Sequence, residues 1–353
     1  MIYNCHIHTF KQEDVPRGFL PLGLVRVLNT RVGYFIFKNF LKLLNPVFKR
    51  ADFNRYLKFV EIGKLDSQLE IFREVEKFYP TGTKFISLAM DMAYMNAGKV
   101  PRDYEEQVAE LCSLPDNVLP FIHIDPRRKN ALNLLYKYSS RVAGVKIYTP
   151  LGYMPFDDRL FPIYDYCQTN NLPIMAHCGG NTVSYKGSKK EIIHILTKYL
   201  PYDKKWEKMK KDELLSLFVN PRAWTYVLER YPKLNVCLAH WGADKHWDKM
   251  ITNPSDKTNW YYIIKEMLIE YPNLYTDISF TLHNKEYFSS LKVLLQSKEK
   301  VAKSVLFGSD YYMIQTLADE KRFCLDLRGY LGEDLFQIIA KENVERYLKT
   351  NLW

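Results

Sequence analysis

Eight short apolar runs recur along the chain with helix-patterned stretches between them, and this alternation restricts the fold more than any other feature of the sequence. The runs are Ile2–His8, Lys84–Met90, Val118–Ile124, Gly144–Tyr148, Pro173–His177, Asn235–His240, Leu274–Ser279 and Ser304–Asp310. Near-continuous apolar strands are what a parallel sheet covered by helices on its faces requires. Several runs follow the same signal, a helix closed by proline, as in Tyr231-Pro232-Lys233-Leu234 and Tyr271-Pro272-Asn273-Leu274. Eight strand–helix repeats predict an α/β fold, a (β/α)8 TIM barrel, with residues 1–353 as a single domain. No internal repeat or low-complexity tract points to a solenoid or a disordered chain instead.

The main departure from a minimal barrel is a helical insertion after the first strand, residues 14–66. From Arg17 to Lys58 it is rich in Arg, Lys, Phe and Tyr, with Asp52 its only acid. Leaving from the first strand, it is expected over the barrel mouth, as a lid, an oligomer contact or a patch on acidic lipid. Residues 19–44 are apolar but broken by Arg26, Arg31, Lys38 and Lys42, so they cannot span a bilayer. The chain enters a strand at Ile2 with no cationic and apolar leader pattern before it, so no secretory signal peptide is expected. The six cysteines are scattered without C-x-x-C pairing and read as reduced, buried thiols of a cytoplasmic protein. A formal charge of +10 suits an anionic small molecule drawn into a cleft, and no zinc-finger or RNA-binding signature favours nucleic acid.

In such barrels the chemistry sits at the carboxyl ends of the strands, so the residues there are the informative ones. The first run ends in His6 and His8, the fourth carries Lys146, the fifth ends in His177, the sixth in His240 and the eighth in Asp310. His6 and His8 are spaced to share one strand face, an arrangement that can grip a single ion. Four of the eight histidines of the chain fall at these ends, where a purely structural role would scatter them. The expectation is a shared metal site.

The stretches Cys5-His6-Ile7-His8, Gly144-Val145-Lys146-Ile147, Pro173-Ile174-Met175-Ala176-His177-Cys178-Gly179, Leu238-Ala239-His240-Trp241-Gly242 and Phe307-Gly308-Ser309-Asp310, in this order, resemble the amidohydrolase superfamily, most closely its amidohydrolase-2 branch. The resemblance implies a divalent ion, zinc first and manganese second, held by His6, His8, His177 and Asp310. It further implies a metal-activated water with Asp310 as its base, and His240 as the group that polarises a substrate carbonyl or carries the proton to the leaving group. Lys146 divides the family pattern. Carboxylated, it bridges two ions and makes His177 and His240 ligands of the second; uncarboxylated, it is a cation available to an anionic substrate. One ion is favoured over two.

The function expected on this basis is hydrolysis of an amide, lactone or ester bond in a small anionic molecule. The alternative is metal-dependent, non-oxidative decarboxylation of an aromatic or unsaturated carboxylic acid by the same residues. A non-catalytic barrel that binds a partner or membrane through the insertion is a third reading. Lesser candidates are His123 and Asp125 with Arg127 and Arg128 after the third strand, as pocket residues or, for Asp125, a turn former; Asp91 and Asp277, for which packing or helix capping is favoured over hydrogen bonding to a metal-binding histidine; and Trp241, Tyr311 and Tyr312 as pocket walls. Cys178 is read as structural, and His194, His246 and His283, outside the strand ends, are not expected to be ligands.

Overall fold

A computed structural model of the chain describes residues 1–19, 35, 58, 61–180, 183–311, 314 and 318–349. Most of the 14–66 insertion, including its basic aromatic run, lies outside the described residues. Eight parallel strands, β1 (Tyr3–Ile7), β2 (Lys84–Leu88), β3 (Val118–His123), β4 (Gly144–Ile147), β5 (Ile174–His177), β6 (Val236–Ala239), β7 (Leu274–Asp277) and β8 (Val305–Leu306), pair in sequence order. Backbone hydrogen bonds from Cys5 N–H to Phe307 O and from Asp310 N–H to His6 O join β8 to β1. The result is the (β/α)8 TIM barrel that the eight runs predict. Among the described residues, no helix is long and apolar enough to cross a membrane.

The observed strands are shorter than the apolar runs, for a physical reason. His240 and Asp310 take positive φ, 70° and 59°, which no strand ladder accommodates. The Phe307 N–H turns away from the barrel to the Ile339 carbonyl, which ends β8 early. The residues that carry chemistry thus lie just past the ladder, where the backbone is released from sheet pairing.

Two apolar layers hold the barrel. Outside, residues such as Ile7, Phe85, Ile122, Val145, Ile174, Val236 and Leu274 pack under the helices. Inside, Tyr3, Cys5, Ile86, Leu88, Phe121, Met175, Cys237, Tyr275 and Leu306 fill the axis, and Val344, Tyr347 and Leu348 of the helix Asn343–Leu348 close its floor. Asn235 pins that helix by donating to the Arg346 and Tyr347 carbonyls, and Asn343 donates to those of Ala302 and Val305. Gly144 makes room for the interior ring of Phe121, since a Cβ there would stand 2.3–2.7 Å from ring carbons. Gly144→Ala is therefore expected to destabilise the protein by about 1–3 kcal/mol, read as a lower denaturation midpoint at unchanged m-value.

The floor is apolar and the mouth is polar. The change is made in β1, where the register against β2 runs Asn4↔Phe85 and then Ile7↔Ser87. Three residues of β1 thus span two of β2, a bulge that leaves Cys5 in the interior layer while His6 turns into the mouth.

Candidate metal centre

His6, His8 and Asp310 bring one ligand atom each within 4.8 Å of one another. Their hydrogen bonds decide which atoms those are. His8 Nδ1 lies 2.9 Å from the Leu88 carbonyl, an acceptor only, so Nδ1 carries the hydrogen and Nε2 the lone pair. His6 Nδ1 donates to Asp277 Oδ2 at 2.8 Å, which likewise leaves its Nε2 as a lone pair. His6 Nε2 and Asp310 Oδ1 are buried with no hydrogen-bond partner. His8 Nε2 stands 3.9 Å from Asp310 Oδ1. Two imidazole nitrogens, each a lone pair when its ring is neutral, and a carboxylate oxygen therefore converge, a donor set that fits a zinc-like ion.

Electrostatics point the same way. Burial pushes the Asp310 carboxyl up to about 6 and holds His8 well below the ordinary histidine value, so without a cation both groups are driven toward neutrality. The Lys146 ammonium is wholly buried with no hydrogen-bond partner; burial lowers it to about 8, with Asp277 and Asp310 pulling it back up. Burial works to raise the Asp277 carboxyl, but the His6 ring beside it and the hydrogen bonds it accepts hold it well below the usual carboxylate range. Asp277 is thus a fixed anion beneath the cluster.

His177 does not stand with His6, His8 and Asp310; its Nδ1 faces His240 Nε2 at 3.2 Å, and its Nε2 lies 3.2 Å from the Gly180 carbonyl. The Tyr148 ring tilts against His177, with centroids 4.6 Å apart, and Lys146 Nζ lies 5.9 Å from the same ring. His240 is held through its backbone, donating N–H to Asp277 Oδ1 at 2.8 Å, and through Nδ1, which lies 2.9 Å from Ser279 Oγ. Burial and the nearby His6 lower it to about 3. His240, Trp241, Gly242 and Ala243 all have positive φ, a left-handed run that costs roughly 1–2 kcal/mol per non-glycine residue. Packing pays that strain: Trp241 is fully buried, stacks on Tyr261, and donates its indole N–H to the Tyr261 carbonyl.

The lesser candidates divide. Asp277 is the hydrogen-bond partner of a cluster histidine, whereas Asp91 pairs with Arg128 and Asp125 forks onto Arg127. Those two arginines are thereby engaged by the chain's own carboxylates. His123 has both nitrogens engaged, by the Asp91 N–H and the Tyr153 hydroxyl. Trp241 is fully buried behind the mouth and Tyr311 is buried, while Tyr312 lies outside the described residues. Cys178 is buried and its thiol is pushed up by burial. His246 bonds Asn259 and stacks on Trp260, His283 bonds the Phe280 carbonyl, and His194 lies on an exposed helix position. Ser279 was not anticipated. Its signal was the Asp277-Ile278-Ser279 spacing at a strand end, which puts a hydroxyl beside a carboxylate.

Polar residues gathered at the carboxyl ends of eight parallel strands define the enzyme class of TIM barrels. A family model described as amidohydrolase, of the amidohydrolase-2 type, matches residues 89–351, and the chain belongs to that family, a branch of the amidohydrolase superfamily of metal-dependent hydrolases and lyases. His6 and His8 precede the matched stretch, and the fold brings them to it. Among solved structures, an uncharacterized TIM-barrel protein from Bordetella bronchiseptica is similar at 18% identity and TM-score 0.57, over 99% of this chain and 98% of that one. A putative 2-pyrone-4,6-dicarboxylic acid hydrolase from Pseudomonas putida is similar at 10% identity and TM-score 0.51, over 100% and 98%. A structure named as an amidohydrolase II gives 12% identity and TM-score 0.52, over 99% and 100%. At these identities the likeness concerns the fold. No curated protein matches the sequence.

Proposed function

We propose that the chain is a metal-dependent hydrolase that cleaves an amide, lactone or ester bond of a small anionic substrate. The observation that carries this reading is the convergence of His6 Nε2, His8 Nε2 and Asp310 Oδ1 as unused donors at the barrel mouth, with the buried, unpartnered Lys146 ammonium nearby. His6, His8 and Asp310 would hold a divalent ion, which would supply acidification of a water and polarisation of an acyl carbonyl. Asp310, whose carboxylate stands at the mouth beside His6 and His8, is suited to take the proton of the attacking water. As the acyl C–N or C–O bond breaks, that proton passes to the leaving nitrogen or oxygen, with His240 as the nearby carrier. Lys146 pairs with a carboxylate of the substrate, which supplies the charge that burial denies it.

A specific observation favours a second reading, with two ions. The Gly180 carbonyl requires the hydrogen of His177 on Nε2, and the Ser279 carbonyl, 3.2 Å from His240 Nδ1, favours that ring's hydrogen on Nδ1. The facing atoms, His177 Nδ1 and His240 Nε2, are then both lone pairs at 3.2 Å, and a positive centre belongs between them. That centre is one shared proton or a cation, and both nitrogens can reach one ion at zinc's ligand distance of roughly 2.0–2.1 Å.

The test is metal content per chain by elemental mass spectrometry on protein purified without chelator. One ion supports the His6, His8 and Asp310 site with a proton between His177 and His240; two support occupation of both. His6→Ala is expected to lose the first ion, and full occupancy in that variant would overturn the site. Once a substrate is found, consumption of water separates hydrolysis from decarboxylation, which releases carbon dioxide.

A further inference from the structure

We propose that Ser279 is a positioning residue that sets the tautomer of His240 and so, resting on the metal-centre reading above, makes the His177–His240 pair competent to hold a cation. Asp277 Oδ1 lies 2.5 Å from Ser279 Oγ, and a carboxylate only accepts, so the single hydroxyl hydrogen of Ser279 is committed to Asp277. With its hydrogen spent, Ser279 Oγ can only accept from His240 Nδ1 at 2.9 Å. The Ser279 carbonyl, on the same nitrogen, also only accepts. His240 is therefore held with its hydrogen on Nδ1, and its Nε2 lone pair is turned toward His177.

The same hydroxyl reaches the other subsite. Ser279 Oγ lies 3.1 Å from His6 Nδ1, whose hydrogen goes mainly to Asp277 Oδ2 at 2.8 Å. One carboxylate and one hydroxyl thus orient a ring from each subsite, so that both lone pairs face the mouth. Gly308 permits the approach: a Cβ there would stand 2.8 Å from His6 Cβ and 3.3 Å from Ser279 Cβ. The dependence is unequal, because His6 keeps Asp277 as its acceptor without Ser279, whereas His240 keeps only the longer contact to a carbonyl.

The experiment combines nitrogen-15 NMR of the histidine rings in the metal-free full chain with zinc titration of the same samples, for the wild type, Ser279→Ala and Ser279→Thr. The wild type and the threonine variant, which retains the hydroxyl, are expected to show His240 protonated at Nδ1. The alanine variant is expected to gain the Nε2–H form and to bind zinc at the His177–His240 pair about 10–100-fold more weakly, with a smaller change at the His6 subsite. An alanine variant that keeps the wild-type tautomer and zinc affinities overturns the assignment, as does a wild type with His240 protonated at Nε2 alone. If the wild type binds no zinc, the metal-centre reading fails, while the ring spectra still decide the role of Ser279.

Discussion

Changing Asp310 to Asn is expected to lower turnover by about 10²–10⁴-fold, the usual contribution of a positioned acid–base group, while the barrel stays folded. The carboxamide keeps the shape of the side chain but has no charge to give a cation and no basic oxygen to take a proton. The backbone role of the residue survives the change, because its N–H still donates to the His6 carbonyl across the closing seam. Activity and the stability of the metal-free protein should therefore separate. The comparison is made with any ester, amide or lactone that the wild type hydrolyses, alongside metal content and denaturation. Undiminished turnover in the Asn variant would remove Asp310 from the chemistry.

Lys146→Met should raise stability. A wholly buried ammonium brought from its ordinary 10.5 down to about 8 makes the charged form unfavourable in the fold by about 3 kcal/mol. Methionine fills similar space without charge, so the metal-free variant is expected to be more stable at pH 7 by about that amount and to lose substrate binding. Between about 8 and 10.5 the unfolded chain binds the lysine proton and the folded chain does not, so wild-type stability gains with rising pH across that window. The methionine variant lacks this gain, and the difference between the two should close by the top of the window. Denaturation of both metal-free proteins at pH 7 and pH 10 tests this; a less stable variant at pH 7 would mean that the lysine is paired in the fold.

Most of the architecture was readable because parallel barrel strands are buried on both faces and leave continuous apolar runs. Each of the eight runs contains a strand of the barrel that falls short of it at one or both ends. The convergence of His6, His8 and Asp310 was also readable, since a closed barrel brings the ends of its first and last strands together. What pattern could not show depends on irregular backbone. The one-residue bulge in β1 decides that His6 faces the mouth beside Cys5 in the interior, and no residue type announces it. The left-handed run His240–Ala243 sets the His240 ring between His177 and His6, with ring centroids 4.8 and 4.7 Å away, and its Nε2 against His177 Nδ1. Ser279 escaped notice because a lone serine at a strand end resembles any other until the hydrogens around it are placed.

The seam between β8 and β1 has a consequence for how the molecule comes apart. Its backbone bonds link Cys5 to Phe307 and Asp310 to His6, and the latter joins two of the candidate ligand residues directly. A cation gripped by His6, His8 and Asp310 is then a staple between the first and last strands, closing almost the whole polypeptide into one loop, where chain entropy makes a cross-link most effective. Removing the staple should open the barrel there first, so hydrogen exchange at the amides of Cys5 and Asp310 would report whether the centre is filled before any substrate is known.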